Sequence, residues 1–448
     1  MLKAFSFEGR IAPAAYAIAA PLLLLLQHAA VALCYKGNRE PLVADAGFWL
    51  LPLRRLAGLD GLTSLQAALV FALAFAAAWA LAVLSFRRAS WAGRGHWLSL
   101  FAIFPVLQIA AIALLAILPK APASEREDDN GAGYLVDVLQ GVLAGVFLIV
   151  AAVLVSALTL GAYGWGLFVA TPLIVGLTTG YIANRRVLRS NANTLSYVIF
   201  ASALGGMALL MFALEGLICI LLIAPLAIGA AMLGGFVGRL VARIGHHRGR
   251  PLLSVAFLPF LFVLEASMPP AASIATSERI DIAASPDAVW RSITSDRAIG
   301  LPPGLPALAG LAYPIGGRLL GEGVGAGRLG FFSTGVARER VTHWEKGRVL
   351  AFTVLSQPPA MEEMSPYRRV HAPHLTGYVV TGDTRYTLTP LPGGRTRLTL
   401  EAATVLHLDP IPYWEPIARW AFRANVRRVL ASTRLQAEAF ARAGYRRH

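Results

Sequence analysis

The feature that constrains this chain most is an abrupt change of composition near residue 270. Long apolar runs fill most of the sequence before that point, and short segments that alternate apolar with polar residues fill most of it afterwards. A hydrocarbon core of about 30 Å needs roughly 20 apolar residues in a helix. The segments that approach or reach this length are 11–34, 62–86, 97–118, 138–160, 164–183, 197–214, 217–240 and the shorter 251–266. The sequence therefore predicts a polytopic α-helical membrane part with about eight helices, joined to a water-soluble part.

The first apolar run is expected to remain in the protein as a helix. Lys3 and Arg10 precede it, as in a secretory signal peptide, but the run is longer than a typical signal core and further spans follow. The two cysteines, Cys34 and Cys219, lie in or beside predicted spans and form no disulfide framework.

The net charge of +15 raises the question of a nucleic-acid partner. The basic excess is shared between the two parts of the chain, and the arginines of the membrane part fall in loops near 87–94, 185–189 and 243–250. Loop arginines are typical of topology determinants and of contacts with lipid headgroups. The distribution favours membrane lipids as partners and argues against nucleic acid.

The same arginine clusters give a conflicting orientation. With eight helices, 185–189 and 243–250 fall on one side of the membrane while 87–94 falls on the other, so one segment is expected to be re-entrant or miscounted, with 161–166 the best candidate. If the two later clusters are cytoplasmic and 251–266 spans the bilayer, the soluble part is periplasmic.

Two motifs near the N-terminus resemble the domain of unknown function 805 family of bacterial inner-membrane proteins. The resemblance covers roughly residues 1–120 and implies an inner-membrane location without an assigned activity. A central Leu-His-Asp of the family is replaced by Ala89, Ser90 and Trp91, which removes the side chains suited to proton or metal chemistry. The matching residues are Phe7, Gly9, Arg10 and Ile11 in the first motif, and Arg87, Arg88, Gly93, Arg94 and Trp97 in the second.

Ionisable and small residues in the membrane part are few and are expected to be structural. Asp137, Glu215 and Glu265 lie at predicted helix ends, which favours interfacial carboxylates over functional ones. The sequence shows no paired breaks in the predicted helices of the kind that would indicate a transporter. Close helix packing is the simpler role for the small residues Gly205, Gly206, Gly234, Gly235 and Gly238.

The pattern changes to strands and one long helix after the Pro269–Pro270 pair. Ile280 and Ile282 alternate with polar residues, Ser285 and Pro286 begin a short helix, and strand pairs are predicted at 336–344 with 348–356 and at 377–391 with 395–406. A final amphipathic helix over about 414–442 must bury its apolar stripe against the sheet. The predicted divisions are 1–120, 121–268, a linker at 269–276 and an α+β domain at 277–448.

The order of these elements resembles the SRPBCC or START-like superfamily, which includes polyketide cyclases and lipid-transfer domains. The resemblance covers roughly 277–441 and implies a helix-grip fold around an apolar cavity, without choosing the ligand. Membrane-attached members share a Pro-His-Leu-x-Gly-Tyr segment and a Leu-Pro-Gly-Gly-Arg-Thr-Arg-Leu hairpin. These are matched by Pro373, His374, Leu375, Gly377 and Tyr378, and by residues 391–398.

Three further motifs are better explained by structure than by catalysis. The glycine-rich 321–327 runs directly into an apolar strand rather than a helix, so we expect a turn and not a phosphate loop. His371 and His374 lack other ligands at suitable spacing, so no metal and no cofactor is predicted. A loop with Glu362, Glu363 and Tyr367 is expected to gate the pocket, with acid–base groups at the mouth as the alternative.

The periodicity also predicts which aromatic residues turn inward. We expect the unfilled part of the core to be the ligand cavity, with Tyr367 and His374 near its mouth. The predicted cavity residues are Trp290, Phe331, Phe352, Tyr386 and Phe422.

The sequence thus predicts a membrane-anchored protein that binds a hydrophobic small molecule or lipid. A cyclase- or dehydrase-like enzyme and a structural or signalling membrane protein are the alternatives. Convergent ionisable groups in the cavity would favour the enzyme, an entirely apolar cavity the binding protein, and a cavity packed shut the third. No catalytic residue, ligand or oligomeric state follows from the sequence.

Overall fold

A computed structural model describes residues 6–59, 62–103, 107–122, 129–161, 163–211, 214–244, 257–362 and 377–445. The chain forms two compact units that divide between Ala266 and Ser267. The first is helical and the second is α+β, which confirms the predicted fold class.

Six helices of the first unit are long and apolar enough to cross a membrane within the described ranges, and shorter apolar helices occupy the other two of the eight predicted spans. The predicted span 97–118 is divided into His96–Phe101 and Leu107–Ile117, and the sequence places Pro105 between them, where a helix loses a backbone donor. The last candidate, 251–266, gives the shorter helix Phe257–Ser267, and 251–256 lie outside the described residues. The six long helices are Pro13–Gly37, Ser64–Ala92, Asp129–Val153 with a π-helical end at Leu154–Thr159, Thr171–Asn184 preceded by the π-helix Gly166–Ala170, Asn191–Met211 and Leu217–Ile244. Short helices occupy Ala46–Leu50 and Pro52–Gly58.

Glycine allows two of these helices to pack backbone against backbone. A Cβ atom on Gly176 would lie 1.8 Å from the carbonyl oxygen of Ala231, and one on Gly234 would lie 1.9 Å from that of Leu173. Real Cβ contacts never approach so closely, so only glycine fits at these positions. The predicted packing role of Gly234 is therefore observed for helices Thr171–Asn184 and Leu217–Ile244.

Asp137, Glu215 and Glu265 each make a polar contact within the helical unit. The carboxylate of Asp137 lies 3.2 Å from Arg185, and Glu215 accepts a hydrogen bond of 2.6 Å from the hydroxyl of Tyr163. Glu265 accepts one of 2.7 Å from the backbone N–H of Gly166. Glu215 and Glu265 lie between helices and near a helix end, as predicted, whereas Asp137 lies inside the helix that begins at Asp129.

An eight-stranded antiparallel sheet forms the second unit, in the order β1-β8-β7-β6-β5-β4-β3-β2. Strand β1 starts at Ala272, inside the predicted linker, because the alternation extends back through Ile274 and pairs with Leu406 to Ala402 of β8. The strands are β1 Ala272–Ile282, β2 Arg297–Ala298, β3 Pro314–Leu319, β4 Gly327–Phe332, β5 Gly335–Glu345, β6 Val349–Ser356, β7 Val379–Leu391 and β8 Arg395–Leu406. The helices are Pro286–Thr294, Leu305–Leu308 and the C-terminal helix Ile411–Tyr445.

The register defines two edges that matter for the site. The lower edge holds the start of β1 at Ala272, the end of β8 at Leu406 and the turn between Phe332 and Gly335; the upper edge holds the opposite strand ends. Against the upper half the C-terminal helix packs a dense core that includes Trp290, Leu398 and Leu430. The glycine-rich 321–327 forms a turn before β4, as predicted, with positive φ at Gly323 and Gly325.

Candidate functional site

Side chains do not fill the space between the C-terminal helix and the lower half of the sheet. A cavity of about 230 Å³ lies between the C-terminal helix and the strands. This volume exceeds that of an apolar void able to hold benzene, about 150 Å³, and approaches the smaller ligand pockets, about 300 Å³. Apolar lining residues include Ile293, Phe332, Phe352, Val354, Phe422 and Val429; polar ones include Ser292, Thr381, Thr384, Thr404, Asn425 and Thr433.

Three of the five predicted cavity residues line this space: Phe352, Tyr386 and Phe422. Trp290 instead packs in the upper core, with its ring centroid 5.1 Å from that of Trp344. Phe331 lies on the other face of β4, and its neighbour Phe332 lines the cavity. Tyr367 and His374 lie outside the described residues, so their place at the mouth stays a prediction.

The inward face of β4 carries an arginine, Arg328, that the sequence does not mark as a site residue. Because strand residues alternate, Arg328, Gly330 and Phe332 share the cavity face. Two consecutive phenylalanines fit either register, and an arginine is expected to face water. Arg328 faces the interior instead, because its charge is paired with a buried carboxylate.

A buried ion pair provides the polar part of the cavity wall. Arg328 donates a hydrogen bond to Glu339 of β5, and only 4% of the Glu339 side chain is exposed. The guanidinium carbon of Arg328 also lies 4.2 Å from the ring centroid of Phe352, a cation–π contact. A Cβ on Gly330 would lie 2.6 Å from Oε1 of Glu339, so this glycine leaves room for the carboxylate.

Burial and the neighbouring positive charge shift the pKa of the Glu339 carboxyl group in opposite directions. Removal from water raises the pKa of Glu339, and the neighbouring Arg328 only partly offsets this effect. The pKa of Tyr386 is raised mainly by burial as well, with Arg328 lowering it and Glu339 raising it. Within the described residues no hydrogen-bond partner of the Tyr386 hydroxyl is found, although the side chain lines the cavity. The hydroxyl is thus available to an oxygen or nitrogen of a ligand.

A second arginine fixes the rim of the cavity. Arg428 of the C-terminal helix donates hydrogen bonds to the carbonyl oxygens of Leu301, at 2.6 Å, Pro302, at 3.1 Å, and Pro314. Its guanidinium also lies 5.2 Å from the ring of Tyr313. Burial lowers the pKa of Arg428, and Tyr313 acts in the opposite direction. The segment 299–314, which we call the rim loop, is held by this one side chain at both ends.

Replacing Arg428 by alanine should release the rim loop. Hydrogen bonds from charged donors contribute about 1.5–3 kcal/mol each, and three carbonyl oxygens would lose their donor, so we expect a loss of about 3 kcal/mol or more. Lysine keeps the charge but cannot reproduce the planar fork. Thermal denaturation of the full chain, with limited proteolysis at leucines of the rim loop, measures both effects. Equal stability of the Arg428→Lys variant and the wild type would contradict the geometry.

No cluster of three or more His, Cys, Asp or Glu residues suited to a metal ion is found among the described residues. The groups that face the cavity are suited instead to hydrogen bonding and to acid–base chemistry.

One known protein family matches the C-terminal region. Residues 273–438 match the model of the polyketide cyclase / dehydrase and lipid transport family. This match confirms the resemblance of the C-terminal region, while that of residues 1–120 to the domain of unknown function 805 family stays a prediction. The chain matches none of the curated proteins with which it was compared.

Several solved structures are similar to the C-terminal region. The Zhui aromatase/cyclase from Streptomyces sp. R1128 is 17% identical, with 39% of this chain and 98% of that one covered and a TM-score of 0.25. A protein from Mesorhizobium loti is 17% identical, with 37% and 98% covered and a TM-score of 0.24. Truncated norcoclaurine synthase from Thalictrum flavum is 14% identical, with 36% and 92% covered and a TM-score of 0.23.

Proposed function

We propose that this protein is a membrane-anchored binding protein for an amphipathic small molecule or lipid. The observation that supports this proposal is a cavity of about 230 Å³. Its walls are largely apolar but include Arg328, Glu339 and Tyr386. Apolar walls bind by removal of surface from water, and a few polar groups fix orientation. The ligand would therefore have an apolar body and an oxygen-bearing end that contacts the Tyr386 hydroxyl or the ion pair.

Anchoring supports this function physically. A poorly soluble ligand partitions into the bilayer, and a tethered pocket meets it at a raised effective concentration. The resemblance of the N-terminal motifs supports the bacterial inner membrane as the location. The later arginine clusters support a periplasmic C-terminal domain, provided that they face the cytoplasm.

A second candidate is an enzyme of the cyclase or dehydrase kind. The observation that favours it is the convergence of Arg328, Glu339 and Tyr386 on one cavity, since the sequence predicts an apolar one. A carboxyl group whose pKa is raised can donate and accept a proton closer to neutral pH. In this function Glu339 would move the proton and Arg328 would stabilise its charged form. The third alternative is a structural or signalling membrane protein whose cavity is closed by packed side chains. A cavity of this size does not support it.

Filling the cavity should abolish ligand capture. Ala402 lines the cavity from β8, whereas the next residue, Ala403, is exposed on the other face of the strand. We expect Ala402→Phe to reduce co-purifying ligand at least about tenfold, which corresponds to 1.4 kcal/mol of affinity. Ala403→Phe is the matched control and should retain the wild-type amount. The measurement is mass spectrometry of small molecules extracted from the full chain in lipid nanodiscs, with empty nanodiscs as background.

The same measurement separates the two candidates. An enzyme with Glu339→Gln should accumulate its substrate, so the bound species would differ in mass from that in the wild type, by the elements of water for a dehydration. A binding protein should hold the same species in both. Retention of equal ligand by both phenylalanine variants would show that the cavity is not the binding site.

A further inference from the structure

The rim loop presents an apolar surface that the ligand cavity does not use. Leu305 and Leu308, on the short helix Leu305–Leu308, are 68% and 73% exposed. No Asp, Glu, Lys or Arg occurs from residue 298 to residue 317. Isolated exposed leucines are common on soluble proteins, but an uncharged loop of this length with two protruding leucines is typical of contact with an apolar partner.

This loop forms part of the cavity wall. The backbone N–H of Ala312 donates to the carbonyl of Ala360 at 2.9 Å, and both residues line the cavity. The side-chain amide of Asn425 donates to the carbonyl of Ala312, also at 2.9 Å, and joins the loop to the C-terminal helix. A partner that covers the leucines would therefore lie beside the cavity wall.

The connection of the chain restricts which partner can reach this place. The apolar helix Phe257–Ser267 precedes β1, and β1 starts at the lower edge with Ala272. Five Cα steps join Ser267 to Ala272, which allows a separation of at most about 18 Å. Exposed apolar residues continue along this route and edge: Phe260, Met268, Val336 and Leu355 are 61%, 71%, 49% and 54% exposed. The start of β1 at the lower edge is thus at most about 18 Å from the end of the helix Phe257–Ser267.

We propose that the lower edge docks on a lipid bilayer, with Leu305 and Leu308 inserted among the acyl chains at the interface. Each buried CH₂ group contributes about 0.8 kcal/mol, and the uncharged loop loses no ion solvation on insertion. Arg428 and Asn425 already hold the loop, so little conformational entropy is lost on docking. If the proposed binding function holds, the ligand passes between membrane and cavity at this surface without crossing bulk water.

Site-specific lipid contact tests the docking directly. In the full chain with Cys34→Ala and Cys219→Ala, one cysteine is introduced as Leu308→Cys and labelled with bimane. The matched control is Leu320→Cys, which is 60% exposed just after β3 at the upper edge. Both are reconstituted into phosphatidylcholine–phosphatidylglycerol vesicles with and without doxyl-labelled phosphatidylcholine. We expect quenching at position 308 to exceed that at position 320 at least about threefold, because interfacial helices bury their apolar face by only about 5–10 Å.

Equal quenching at both positions would overturn the proposal. So would a label at 308 that is shielded from water but not quenched by lipid, since that result indicates a protein partner or a second copy. A second variant, Leu305→Ser with Leu308→Ser, should keep the thermal stability because both side chains are exposed. It should slow transfer of a fluorescent fatty acid from donor vesicles several-fold while leaving its capacity at equilibrium unchanged. Lipid quenching at 308 without any transfer by the wild type would support docking and contradict the proposed binding function.

Discussion

Alanine at Gly234 should prevent correct assembly of the helical unit. Its Cβ would lie 1.9 Å from the carbonyl oxygen of Leu173 and 2.9 Å from the backbone nitrogen of Leu177, so neither neighbour can rotate away. The two helices would have to separate along their length, which also breaks the contacts of Gly176 and Gly238 with the opposite backbone. Overpacking with side chains alone costs about 1–3 kcal/mol; with rigid backbone as the obstacle, we expect the upper end of this range or more.

The same helix offers a matched control for this substitution. A Cβ on Gly229 meets nothing within 4 Å, so Gly229→Ala should be neutral or slightly stabilising through helix propensity. Membrane yield, monodispersity in detergent and the midpoint of thermal denaturation compare the two variants. A Gly234→Ala protein as stable and monodisperse as the Gly229→Ala protein would contradict the backbone contact.

The sequence predicts most accurately the elements that have one strong period. Strand β8 and the C-terminal helix follow from uninterrupted alternation and from an apolar stripe, because burial of one face dominates their energetics. The predicted span at 97–118 contains two shorter helices, His96–Phe101 and Leu107–Ile117, because apolar composition alone does not register where a helix ends. Periodicity also cannot predict hydrogen-bond partners that are distant in the sequence. No residue near Glu265 or Glu215 indicates that their partners are Gly166 and Tyr163.

In the candidate site, too, the residues that follow a local period are predictable and those that depend on a distant partner are not. Phe352, Tyr386 and Phe422 lie on clear inward faces, and the sequence places them on the core side. Arg328 and Glu339 could be recognised only together, since each is favourable in the interior because the other is present. One sequence signal was available: the register in which Phe332 faces inward also brings Arg328 inward. Choosing that register requires knowledge of the β4–β5 pairing, which tertiary structure alone provides.

Removal of Arg328 should destabilise the grip domain strongly. Arg328→Met leaves the Glu339 carboxylate buried without a countercharge, and breaking a buried pair in this way costs about 3–5 kcal/mol. The double variant Arg328→Met with Glu339→Leu removes both charges and should recover most of the loss. The exposed pair of Arg397 and Asp281 provides the control, since Arg397→Met removes a solvent-screened interaction and should reduce the stability far less. Hydrogen exchange of β5 peptides in the full chain reports the stability of this unit.

The effect of Arg328→Met should depend on pH in a defined direction. The pKa of Glu339 is raised in the folded protein, so the folded state binds the proton more tightly than the unfolded chain does. Stability therefore falls as the pH rises from the ordinary carboxyl range through the raised pKa. Without Arg328 this pKa rises further, because the interaction that lowers it is lost. We expect the Arg328→Met protein to lose most stability at pH 8 and to approach the wild type as the pH falls towards 5, where a protonated Glu339 needs no countercharge. A loss that is the same at pH 5 and pH 8, or a double variant no more stable than Arg328→Met, would mean that Arg328 acts through its packing on Phe352 rather than through its charge.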